Sequence, residues 1–163
     1  MDVAEVLVGI TEVAIALAGF SGVVVAFGSR GEGAWLPGDR LRLGFLLEAS
    51  LTAAGFSLVA LLLISAELNA ALCWMIGSAA WASYMIFSLV TSRLALRENQ
   101  DTHGDVDRNS NRVIAALFIL LILLQAGNVF VWQQFWPFLA GLIVNLAGAA
   151  MQFGRLIRSA FHV

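Results

Sequence analysis

The 163-residue chain is 60% hydrophobic and only 12% charged, against roughly 45–50% apolar and 25% charged in soluble domains. That balance excludes an ordinary soluble globular fold and marks an integral membrane protein. A net charge of −2, with all nine basic residues arginine, gives no basic surface for nucleic acid. The single cysteine, Cys73, excludes both an internal disulfide and a two-cysteine redox motif.

Five apolar segments follow in order, at 3–27, 41–65, 70–92, 113–131 and 137–153. Each falls in the spanning range of ~17–25 residues, the last being the shortest. They predict a single all-α domain: an integral membrane bundle of five transmembrane helices. The first segment begins acidic, with Asp2 and Glu5, and is too long for the apolar core of a signal peptide. It reads as a retained first span. Ala14, Ala18, Gly22 and Ala26 recur on it every four residues, a packing ridge of small side chains that would let another helix come close. Glu12 lies well inside the same span. A carboxylate there costs ~2.5–3.5 kcal/mol or more in lipid and is expected to face protein or water. Glu5, seven residues earlier, shares its face; it reads as an ordinary interfacial carboxylate before it reads as part of an outer acidic vestibule.

In the first connection Trp35 suits the membrane interface. Pro37-Gly38-Asp39 predicts a turn followed by a helix start, with Asp39 as its N-cap. A minimal turn at 66–69 joins the second and third spans. Trp74, Trp81 and Tyr84 on the third read as aromatic core rather than a ligand wall. The polar stretch 93–112 is expected to be a cytoplasmic loop. Its Asp101-x-His103-x-Asp105-x-Asp107 run lacks the EF-hand order, and Arg112 stands where a bidentate glutamate would be needed. Gln125 and Asn128 on the fourth span and Asn145 on the fifth predict amide bonds across a hairpin. Trp132 and Trp136 mark an interface, and Pro137 suits the first turn of the last helix.

The arginines set the orientation. Arg30, Arg40 and Arg42 flank the first connection. Arg93, Arg97, Arg108 and Arg112 belong to the third, while Arg155 and Arg158 follow the last span. All lie on one side of a five-span arrangement, whereas four spans would divide them. The positive-inside rule makes that side cytoplasmic, with the N-terminus outside and the C-terminus inside.

Two patterns run across spans. Ala18-Gly19-Phe20-Ser21 returns as Ala54-Gly55-Phe56-Ser57, each with a glutamate (Glu12, Glu48) seven residues before its glycine. Coincidence accounts for this echo better than an inverted repeat does. Counting about 1.5 Å per residue, Glu12, Ser57, Ser78, Gln125 and Asn145 fall at one level, roughly 10–15 Å below the outer surface. Glu48 lies near the opposite side, where a snorkelling pair with Arg93 or Arg155 is expected.

Glu12, the run AGFSGVVVAFGSR, Trp35 and Asp39-Arg40-Leu41-Arg42 together resemble the start of small multi-span bacterial membrane proteins of an uncharacterised family. The resemblance covers about the first sixty residues and implies a bacterial inner-membrane location. It brings no activity with it.

Neither histidine lies in a span, and no serine has a base beside it, so hydrolytic or transfer chemistry has no constellation to work from. No cofactor and no metal are implied. The expected function is a homo-oligomeric channel or conductance protein for cations or protons. The first helix would line the path through Glu5, Glu12 and Gly19, with Gln125 and Asn145 as secondary ligands. Val23 and Phe27 continue that face and would narrow it to an apolar gate. The alternative is a non-catalytic scaffold or accessory subunit docking through Ala14, Ala18, Gly22 and Ala26. The expected partners are the lipid bilayer and further copies of the chain.

Overall fold

The computed structural model describes residues 2–27, 37–98 and 108–161. It is helical throughout, with no strand among these residues. The elements are α1 (Val3–Phe27), α2 (Pro37–Ser65), α3 (Ala70–Glu98), α4 (Arg108–Gly127) and α5 (Phe135–Phe161). A π-helical turn, Asn128–Trp132, separates the last two. Among the described residues four stretches are long and apolar enough to cross a membrane: Val3–Val24, Arg42–Ser65, Ala70–Thr91 and Phe135–Ser159. The fifth apolar helix, Ala116–Trp132, is shorter.

Local chemistry sets the helix ends. Asp2 caps α1, its Oδ1 accepting from the Ala4 N–H at 3.0 Å. Helix α2 starts at Pro37 rather than after Asp39, because a proline in the first turn forfeits only an N–H that has no helical partner. The turn between α2 and α3 joins a terminator to an initiator. Glu67 adopts the left-handed conformation (φ 56°), and Asn69 Oδ1 caps α3 at the Ala71 N–H, 2.9 Å away. The expected loop 93–112 is helical at both ends, to Glu98 and again from Arg108. Polar helix formers such as Arg97, Glu98 and Arg108 extend the helices beyond the apolar stretch that periodicity detects. Trp35 and the Asp101–Asp107 run lie outside the described residues.

The helices group into two compact units, one of residues 1–67 with 139–163 and one of 68–138. In the first, α1 packs along α2. Its buried face is Leu7, Thr11, Ala14 and Ser21, and that of α2 includes Leu46, Ser50, Ala53 and Ser57. In the second, α3 packs on α4 and the π-turn. There the Phe138 ring lies over Gly77, whose added Cβ would be 3.2 Å from it. Trp74 and Trp81, three residues before and four after that glycine, flank the ring at 5.9 and 5.6 Å between centroids. The small residue opens a notch and the two tryptophans close its ends.

Small and polar residues such as Ala14, Ala53, Ser50, Ser57, Gln125 and Asn128 are buried beside large apolar ones such as Leu7, Leu46, Trp81 and Phe138, while Phe130, Val131, Leu62 and Phe87 are 66–82% exposed. An exterior so apolar is compatible with a membrane protein.

Candidate functional site

Helix α1 carries two faces. Seven-residue steps return to within about 20° of the same face, so Leu7, Ala14 and Ser21 stay on the α2 side and are buried. Four-residue steps drift by about 40° each at 3.6 residues per turn. The ridge therefore walks off that face: Ala14 is fully buried, Ala18 half-buried and Gly22 exposed. A Cβ at Gly22 would meet nothing within 4 Å. The side chain of Ala26 is not among those described. The continuous packing strip expected from spacing is, within one chain, only its upper half.

The other face holds Glu5, Glu12 and Gly19, all exposed, again at seven-residue spacing. Ala16 and Val23 extend it and are exposed too. Glu12 lies nine residues into the helix, or about 14 Å at 1.5 Å per residue. Among the described residues no hydrogen bond or ion pair holds it. The expectation that Glu12 lies inside protein is not met within a single chain. Its spacing from Ala14 and Ser21 turns it outward.

The amides do different work. Gln125, fully buried, donates from Nε2 to the Pro137 carbonyl at 2.9 Å. Asn145 donates from Nδ2 to the Ala49 carbonyl of α2 at 2.7 Å. Both amide nitrogens are spent on backbone, which supports hairpin and helix packing rather than ligand roles beside Glu12. Gln125 Oε1 stays without a partner.

Asn128, noted in the sequence only as one member of the amide pair, makes three side-chain hydrogen bonds. Fully buried at the head of the π-turn, it donates from Nδ2 to Ser78 Oγ at 2.7 Å and to the Gln134 carbonyl at 3.0 Å. Its Oδ1 accepts from the Gln134 N–H at 2.9 Å. The π-turn itself closes with the Gln133 N–H on the Asn128 carbonyl at 2.9 Å, Gln133 being left-handed at φ 50°. The Trp132 ring folds back over Gly127, within 2.7 Å of where a Cβ would stand, and pairs with Trp136 at 5.2 Å. The Gly127-x-x-x-x-Trp132 spacing was the available signal, but spacing alone does not distinguish a π-turn from an α-helix.

The AGFS echo is one of orientation as well as letters. In both copies the serine (Ser21, Ser57) is buried and the glycine (Gly19, Gly55) is exposed, as are Glu12 and Glu48. The hydroxyls differ: Ser21 bonds the Ala18 carbonyl at 2.6 Å, whereas Ser57 Oγ and the nearby Ser50 Oγ have no partner. Among the described residues no group of three or more His, Cys, Asp or Glu side chains is placed to hold a metal. Comparison with protein-family models, curated proteins and solved structures gives no match.

Proposed function

We propose that the protein is a non-catalytic, homo-oligomeric conductance protein for cations or protons in the bacterial inner membrane. Copies meet around the outer face of α1, and Glu12 lines the path with Glu5 and Gly19 beside it. The observation that carries this reading is Glu12 itself: a carboxylate about 14 Å along a helix long and apolar enough to span, exposed and without a partner among the described residues. Leaving it in lipid costs ~2.5–3.5 kcal/mol or more, and water or a neighbouring copy removes that cost. Helix α1 is also the least enclosed span, with 17% of its apolar stretch buried against 28%, 33% and 33% for the others. A ring of such carboxylates favours cations. The five helices alternate across the bilayer with the N-terminus outside and the arginine-bearing ends in the cytoplasm.

The test is Glu12→Gln, which keeps the shape and removes the charge. It is expected to preserve folding and particle size while sharply cutting cation or proton flux in reconstituted vesicles. Wild-type vesicles that leak no faster than protein-free ones, across ions, pH and voltage, would remove the reading. In intact cells, a C-terminal tag is expected to be shielded from external reagents and an N-terminal one reachable.

A further inference from the structure

We propose that the charge moved past Glu12 is the proton, carried by Glu12 as it takes up and releases H+, and that metal cations are excluded. This rests on the conductance reading above and narrows it from cations at large to one. What carries it is where α1 puts its oxygen atoms. A metal cation is held by about six oxygens, those of its own water or of protein groups that replace them. A proton needs one acceptor at a time and passes between carboxylates and hydrogen-bonded water. In each cycle Glu12 takes H+ from water on one side and yields it to water on the other. The carboxylate is regenerated and no other bond changes.

Beyond Glu12 the helix offers a metal cation nothing. From Val13 to Val24, about 17 Å at 1.5 Å per residue, Ser21 has the one polar side chain. It is 1% exposed, and its hydroxyl is spent on the Ala18 carbonyl at 2.6 Å. Thr11, just before Glu12, is likewise buried and donates to the Leu7 carbonyl. The residues this stretch exposes are Val13, Ile15, Ala16, Gly19, Phe20, Gly22 and Val23. At 100° per residue they fill about half the circumference of α1, with Glu12 near the middle of that arc. Whichever part of the arc faces another copy, it presents no side-chain oxygen, and the backbone carbonyls are taken by the helix's own hydrogen bonds. So apolar a lining wets only intermittently. A transient file of water passes a proton, whereas an ion would shed its shell there with no oxygen to replace it.

The experiment compares ions on the full-length chain in reconstituted vesicles. Proton flux is read from an internal pH dye, with valinomycin and K+ supplying the counter-charge. Metal flux is read, without valinomycin, from uptake of radioactive Na+, Rb+ and Ca2+. Proton flux is expected to exceed that of protein-free vesicles, while none of the three metal ions enters faster than in them. Glu12→Gln is expected to lower proton flux to the protein-free level, and Glu12→Asp, which keeps a carboxyl group, to retain it. Metal-ion uptake through the unaltered chain that Glu12→Gln abolishes would overturn proton selectivity and leave the conductance reading standing. Proton flux undiminished in a folded Glu12→Gln variant would overturn the carrier role of Glu12. No flux of any ion would remove the conductance reading and this inference with it. Because the ions are compared on the unaltered chain, selectivity is decided even where a variant fails to fold.

Discussion

Asn128→Ala is the substitution whose cost the structure specifies best. Three hydrogen bonds end on this one fully buried side chain, at 2.7, 3.0 and 2.9 Å. Their partners are not equivalent. Ser78 is 0% exposed, so its hydroxyl finds no replacement, and an unsatisfied buried group costs ~1–3 kcal/mol. Gln134 is exposed, so its N–H and carbonyl regain solvent and lose only a net ~0.5–1.5 kcal/mol each. Side-chain bonds between membrane helices average ~0.6 kcal/mol, because the unfolded chain in lipid also finds partners. Together these place the loss at about 2–4 kcal/mol. Unfolding in mixed micelles with increasing SDS, followed by tryptophan fluorescence, measures it. A double-mutant cycle with Ser78→Ala should return a coupling of ~0.6–1.7 kcal/mol. A variant within about 0.5 kcal/mol of wild type, without coupling to Ser78, would refute the reasoning from partner burial.

Gly127→Ala is expected to cost ~1–3 kcal/mol by overpacking, since its Cβ would stand 2.7 Å from the Trp132 ring; a changed fluorescence of the Trp132–Trp136 pair should accompany the loss. Gly148→Ala, with nothing within 4 Å, is the control, expected to gain up to ~1 kcal/mol from helix propensity. Ala14→Leu, at a site 0% exposed, is expected to destabilise the α1–α2 pair by ~1–3 kcal/mol. Gly22→Leu should leave the stability of the single chain unchanged in the same SDS titration, and any effect on particle size in gel filtration assigns Gly22 to a contact between copies.

Legibility in the sequence followed the length scale of each signal. The first three apolar stretches were readable because a long apolar run is a property of twenty residues at once, whereas the last reaches from Phe135 to Ser159 instead of 137–153 and the fourth, Ala116–Trp132, is shorter than the others. The polar extensions, α3 to Glu98 and α4 from Arg108, were not, since hydropathy falls silent where a helix leaves the apolar layer. Pro37 in the letters fits a turn, although the same ring geometry also begins helices. The roles of Gln125 and Asn145 as backbone donors were half visible: their types and levels predicted bonds, but not that Pro137 and Ala49 carbonyls would take them. Ala14 and Gly22 show the sharper limit. Four-residue spacing marks neighbours over one turn and strangers over three, so a ridge read straight along the letters changes faces along the helix. The partition of Glu12 from Thr11, adjacent in sequence and opposite in exposure, depends on where α2 lies.

That partition makes the sign of one further substitution informative. Thr11 is buried and donates its hydroxyl to the Leu7 carbonyl at 2.9 Å, so its polarity is settled within the helix. Glu12 has no such local outlet. If its face met only lipid, Glu12→Leu would remove an insertion cost of ~2.5–3.5 kcal/mol, and the variant would resist SDS better than wild type with unchanged size. If the face lines a wet path between copies, the carboxylate is already solvated and leucine gains no such relief. The assembly then trades a ring of hydrated acids for a ring of apolar side chains, which closes the path by dewetting. We expect the second result: flux lost, stability within about 1 kcal/mol of wild type, and particle size retained. A large stabilisation instead would place Glu12 against lipid and end the case for a path along this face of α1.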